Sequence, residues 1–102
     1  MKFYTLIVVI ILAFSQAQAA STKGGVERIY PQDGTVYFRL KDEPCKSTQK
    51  NTYWSFSLSD ETAKTWFAML LAAASSGHVV KLGVEQCNPD INQSISYLYI
   101  DY

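Results

Sequence analysis

The residues able to do chemistry are few and scattered. His78 is the single histidine of the chain, and it falls just past a helix-like stretch. There a positive imidazole would complement the helix dipole, which is a structural task. As a general base it would need partners from distant segments, and no Gly-x-Ser-x-Gly elbow is present to supply a nucleophile. Two cysteines, Cys45 and Cys87, with one histidine are too few for a zinc site. The carboxylates Asp33, Asp42, Glu43, Asp60, Glu61 and Asp90 fall in turns, a loop or a helix start. Asp60 and Glu61 are adjacent, so on a helix they point to different sides and make no acid–base pair. No glycine loop cradles phosphate. The expectation is a protein with no catalytic residues, no cofactor and no metal: a binding or interaction module.

The aromatic residues carry more information. Tyr37, Tyr53, Tyr97 and Tyr99 all stand in strand-like runs, and Tyr37 and Tyr53 alternate with apolar neighbours, so they should face away from the core. Cross-strand packing is the plainer reading, since aromatic pairs favour it anyway. The functional reading is a surface built from Tyr37, Arg39, Tyr53 and Ser55, with Thr35 and Ser57 beside them. Such a surface can stack on sugar rings and hydrogen-bond hydroxyls, or bind a protein partner.

Compartment and charge narrow the field. Lys2, the apolar run Phe3–Phe14 and the small-x-small Ala17-Gln18-Ala19 read as a signal peptide over residues 1–19, leaving residues 20–102 as one domain. The apolar run is short for a bilayer span, so a retained anchor is the lesser alternative. This places the protein as secreted or periplasmic. In that setting Cys45 and Cys87 form an internal disulfide, worth roughly 4 kcal/mol on the chain-entropy argument; an intermolecular bridge or two free thiols are the alternatives. Formal charge is +0, and without Lys2 it turns slightly negative. Binding to nucleic acid, which needs clustered Lys and Arg, is not expected.

These residues must be positioned by the elements around them. The stretch Ser59–Gly77 places Ala63, Trp66, Phe67, Leu70, Leu71 and Ala74 on one helical stripe. Ser59 is the expected N-cap and Gly77 the left-handed residue after the last turn. Ala20–Lys23 reads as a mobile polar lead-in. Gly25–Tyr30 and Thr35–Leu40 read as a hairpin around Pro31-Gln32-Asp33-Gly34, with Val36, Phe38 and Leu40 inward. Lys41–Thr52 is a long loop, followed by Tyr53–Leu58 with Trp54, Phe56 and Leu58 inward. After the helix come Val79–Val84, with Val80, Leu82 and Val84 inward, a second loop Glu85–Gln93, and a closing strand Ile95–Tyr102.

The order β-β-β-α-β-β predicts a mainly β protein with one helix, an OB-fold-like small barrel plugged at one end by the helix. An open antiparallel sheet with the helix across one face is the alternative. The TWFAMLLAA helix before Gly77-x-Val79-Val80, the DGTVYFRL strand and the closing ISYLYIDY resemble pentameric B subunits of A–B toxins, notably the subtilase-cytotoxin type. That resemblance implies an OB-fold subunit with an internal disulfide, a ring with its helices towards a central pore, and binding of host glycans. It transfers no sugar-contacting residue position by position.

One further expectation concerns the helix face opposite the core, formed by Glu61, Thr65, Ala68, Ala72 and Ser75. No charge occurs between Lys64 and Lys81. An alanine-rich solvent face would satisfy helix propensity alone. Small residues also let another backbone approach, so Thr65, Ala68, Ala72 and Ser75 are candidates for the contact of a homo-oligomer, in a ring as the resemblance implies.

Overall fold

The computed structural model describes residues 20–49 and 51–102. The signal peptide expected over 1–19 lies outside the described residues. Eight elements follow in order: β1 (Ala20–Gly24), β2 (Val26–Gln32), β3 (Thr35–Leu40), β4 (Trp54–Ser57), α1 (Glu61–Ser76), β5 (Val80–Val84), β6 (Gln93–Ser94) and β7 (Tyr97–Tyr99). The protein is mainly β with one helix, as expected. Its strands form two sheets, β1-β5-β7 and β2-β3-β4-β6, which do not close into a barrel.

The expected polar lead-in is a strand. Ala20–Gly24 pairs antiparallel with β5 from Ala20↔Val84 to Gly24↔Val80. Its side chains are mostly small and polar, so nothing apolar marks it, and a partner distant in sequence supplies its backbone hydrogen bonds. Gly24 then turns the chain from one sheet to the other. A Cβ on Gly24 would stand 2.4 Å from the Lys41 carbonyl oxygen, so no larger residue fits. A hydrogen bond of 2.7 Å from Lys41 N–H to the Gly25 carbonyl fixes this corner.

The hairpin forms where expected, with a tighter turn. Pro31 and Gln32 remain paired, to Val36 and Thr35, and the loop is Asp33-Gly34, both at positive φ. This is the two-residue turn whose twist matches the flanking strands. The closing strand is shorter than expected and divided. β6 pairs parallel with β4, and β7 pairs antiparallel with β5. Between them Ile95 N–H bonds to Ser55 of the larger sheet and Ser96 N–H to Gly83 of the smaller. That break explains why Ile95 and Leu98 are both buried although strict alternation would separate them.

Helix α1 is capped by Asp60 rather than Ser59: Asp60 Oδ1 accepts from Ala63 N–H at 2.8 Å, and the Gly77 N–H closes on the Ala73 carbonyl. Its buried residues are Ala63, Leu70 and Ala73, with Trp66, Phe67 and Met69 half-buried. Leu71, placed in the core stripe by its spacing, is 48% exposed, and Ala74 is exposed too. The run from Phe67 to Ala74 is apolar throughout, so periodicity leaves the facing direction open by about one position. The core is Val36, Phe38, Leu40, Trp54, Phe56, Val80, Leu82, Val84 and Leu98 with the helix. Phe56 meets Phe38 and Trp66 edge-on, at ring centroids of 5.9 and 5.6 Å.

Candidate functional site

Cys45 and Cys87 are joined as a disulfide, as expected. Around it the two long loops are built on buried charges. Glu43, 1% exposed, accepts from Thr22 Oγ1 at 2.6 Å, Cys45 N–H at 2.9 Å and Lys46 N–H at 2.7 Å. Lys46 is equally buried. Its ammonium donates to the carbonyls of Asn88 and Ile91 at 2.9 and 2.7 Å and to Gln93 Oε1 at 3.2 Å, and stands 4.4 Å over the Trp54 ring. Burial pushes the Lys46 ammonium below the usual lysine range, against the attraction of Glu43. These contacts pin both loops beside the disulfide, leaving neither residue to act on a ligand.

The four candidates on the outer face of the larger sheet divide. Arg39 is buried: it pairs with Glu27 at 3.0 Å and donates to the carbonyls of Lys46, Gln49 and Thr52. Ser55 is also buried and donates to the Gln93 carbonyl at 3.3 Å. Both were placed outward by alternation alone, and both are spent on holding loops. Tyr37 and Tyr53 remain half-buried at the surface, and Tyr30 joins them through its register with Tyr37. The three rings stand 6.0 to 6.2 Å apart. Arg28 Nη1 donates to Tyr53 Oη at 2.8 Å, and that bond raises the guanidinium's already high affinity for its proton.

The smaller sheet carries a second surface that alternation did not bring together. Lys23, Lys81 and Tyr99 lie in one row across β1, β5 and β7, and Ser21, Gly83 and Tyr97 in the next. Two residues apart on each strand, the rows share one face. Tyr97 packs its ring on Gly83, and its centroid lies 6.0 Å from that of Tyr99. The Lys81 ammonium is 5.7 Å from the Tyr99 ring centroid and is held by Asp101 at 2.6 Å, which raises its affinity for the proton. Ser21, Lys23, Asp42, Pro44, Lys81 and Tyr99 line a cavity of about 440 Å³ here. Tyr97 and Tyr99 are 50% and 42% exposed. The signal that could have found this surface was the pairing of Ala20–Gly24 with β5, which residue types do not announce.

His78 shares a hydrogen bond with Ser76 Oγ, which also donates to the Ala72 carbonyl at 2.8 Å. Its ring faces Tyr102 at a centroid distance of 5.1 Å. Among the described residues His78 makes no ion pair with a carboxylate, so the hydroxyl–imidazole pair has no orienting third member. Among the described residues no three or more His, Cys, Asp or Glu are grouped to hold a metal ion, and no helix is long and apolar enough to cross a membrane. Comparison with known proteins finds no matching family model, no matching curated protein and no matching solved structure.

Proposed function

We propose that this is an exported, non-catalytic binding module that recognises carbohydrate in the cleft between Tyr99 and Lys23, with Tyr97 packed beside Tyr99. The observation that supports it best is the row Lys23–Lys81–Tyr99 lining a cavity of sugar-sized volume, with Ser21 and Asp42 at hand. Sugars present both apolar C–H faces and hydroxyls. A tyrosine supplies an apolar plane, while ammonium, carboxylate and hydroxyl groups around it donate and accept. Two lysines balanced by Asp42 and Asp101 favour a polar ligand over a strongly charged one. The disulfide is consistent with the oxidising compartment that export implies.

An OB-like framework is the finer reading of the topology. β1 and β2 follow each other across Gly25, β6 and β7 across Ile95 and Ser96, and β4 pairs parallel with β6. Each bent pair then corresponds to one long strand of a five-stranded arrangement. The module assembles as a homo-oligomer through the exposed stripe Thr65, Ala68, Ala72 and Ser75, with half-exposed Leu71 beside it; a ring accords with the toxin-like resemblance.

A glycan array with the oxidised protein tests the function. Binding that falls about tenfold in Tyr99→Ser and Lys23→Ser variants supports the cleft. An absence of glycan binding, with a co-purifying protein partner, favours an interaction subunit without carbohydrate binding instead.

A further inference from the structure

The outer face of the larger sheet has no part in the glycan reading. Tyr30 on β2, Tyr37 on β3 and Tyr53 just before β4 form a plate of tilted rings, Tyr37 and Tyr53 edge-on at 73°, with Tyr30 46% exposed. Arg28 reaches over β3 from β2 to Tyr53 Oη at 2.8 Å. The two arginines of this face stand directly opposite each other in the β2–β3 register, Arg28↔Arg39. Glu27 answers the charge of Arg39. Arg28 forms no ion pair among the described residues; its side-chain bond goes to a neutral phenol, which leaves most of its five N–H donors for other acceptors.

We propose that this plate is a protein-docking surface that accepts a partner segment carrying a carboxylate beside an apolar side chain. Tyrosine and arginine are the residues that concentrate binding energy at protein interfaces, because they offer large rigid area and directed donors together. The carboxylate takes the guanidinium of Arg28, for which two parallel N–H···O bonds are the favoured geometry. The apolar side chain covers the Tyr30 ring and its neighbours. The partner engages the face and not the strand edge: β2 is an edge strand, but Pro31 within it has no N–H to give, and charged Glu27 and Arg28 stand on it. Glu27 and Asp42 offset the charge of Arg39 and partly that of Arg28, so it is the free, directed donors of Arg28 beside the tyrosines that select a carboxylate-bearing segment of another protein.

The test uses the full oxidised protein, isotope-labelled for NMR, and short synthetic peptides that place Asp or Glu next to Leu or Trp. Matched peptides carry Asn or Gln in place of the acid. Acidic peptides should shift the signals of Arg28, Tyr30, Tyr37 and Tyr53, and the neutral versions should bind about tenfold more weakly. R28Q should lose a similar factor, and Y30S provides a second, surface-exposed variant if R28Q melts early. Acidic peptides that leave these signals unmoved, or bind R28Q as well as the unaltered protein, would overturn the proposal. So would plate signals that move with oligosaccharide instead, or with protein concentration alone, which would assign the face to a glycan or to a second copy. Tyr99→Ser and Lys23→Ser variants leave the plate intact, so failure here is separable from failure of the glycan cleft.

Discussion

Tyr97 occupies the space that a side chain on Gly83 would fill: a Cβ there would lie 2.0 Å from the ring. The glycine is therefore what seats the tyrosine flat on the smaller sheet. Gly83→Ala should displace the ring into solvent, which is possible because Tyr97 is half-exposed, and leave the backbone pairing intact. We expect a loss of stability of about 1 kcal/mol, mainly lost ring packing. Glycan binding should fall about tenfold if the seated ring is the platform. Thermal melting and glycan titration of the same variant separate the two effects.

Lys46→Met would remove the ammonium that ties the second loop to the first. The carbonyls of Asn88 and Ile91 and the Gln93 side chain would lose a buried donor. The expected cost is about 3 kcal/mol, from leaving buried acceptors unpaired. The pH dependence has a definite sign. Burial holds the Lys46 proton less firmly in the folded chain than in the unfolded one. Its contribution to stability therefore rises as pH climbs towards the ordinary lysine value of about 10.4. Denaturant melts of both proteins across alkaline pH should show that rise in the parent and not in the variant.

Asp60→Ala should cost about 1 kcal/mol, the typical worth of a side-chain cap, whereas Ser59→Ala should be near neutral. The distinction is measurable by thermal unfolding, because the Ala63 N–H is bonded by Asp60 alone of the two.

Replacing Ala68 and Ala72 by Glu should reduce the molecular mass in solution from that of an oligomer to that of a monomer. Both residues are exposed in the single chain, so the fold should persist with helical circular dichroism unchanged. Sedimentation of the unaltered protein as a monomer at micromolar concentration would remove the oligomer reading.

What the sequence shows and what it hides follow from the range of the forces involved. β3, α1 and β5 were legible because their apolar spacing records one buried face. The disulfide was legible from compartment and count. β1 was hidden because Ser21, Thr22 and Lys23 carry no apolar signature, and the strand exists by pairing with residues about sixty positions away, as in Thr22↔Leu82. The fates of Arg39 and Ser55 were hidden for a related reason. Alternation gives a side chain's face, but a long loop folded over that face decides whether it meets water. Tyr30 lies within the expected strand, but a four-residue turn at Pro31–Gly34 sets it opposite Thr35; the tighter Asp33-Gly34 loop shifts the register and brings it beside Tyr37.

The separation of about sixty positions between β1 and its partner β5, with β7 later still, has a consequence for biogenesis. During synthesis the first strand emerges with no partner, and Cys45 has no thiol to join, until Val80–Val84 and then Cys87 follow. The hairpin of β2 and β3 needs only its own two-residue loop and can form early. The smaller sheet, with its cleft, is completed only once Tyr97–Tyr99 has followed. Closure of so long-range a sheet is slow relative to hairpin formation, because the entropy of loop closure comes before the contacts that reward it.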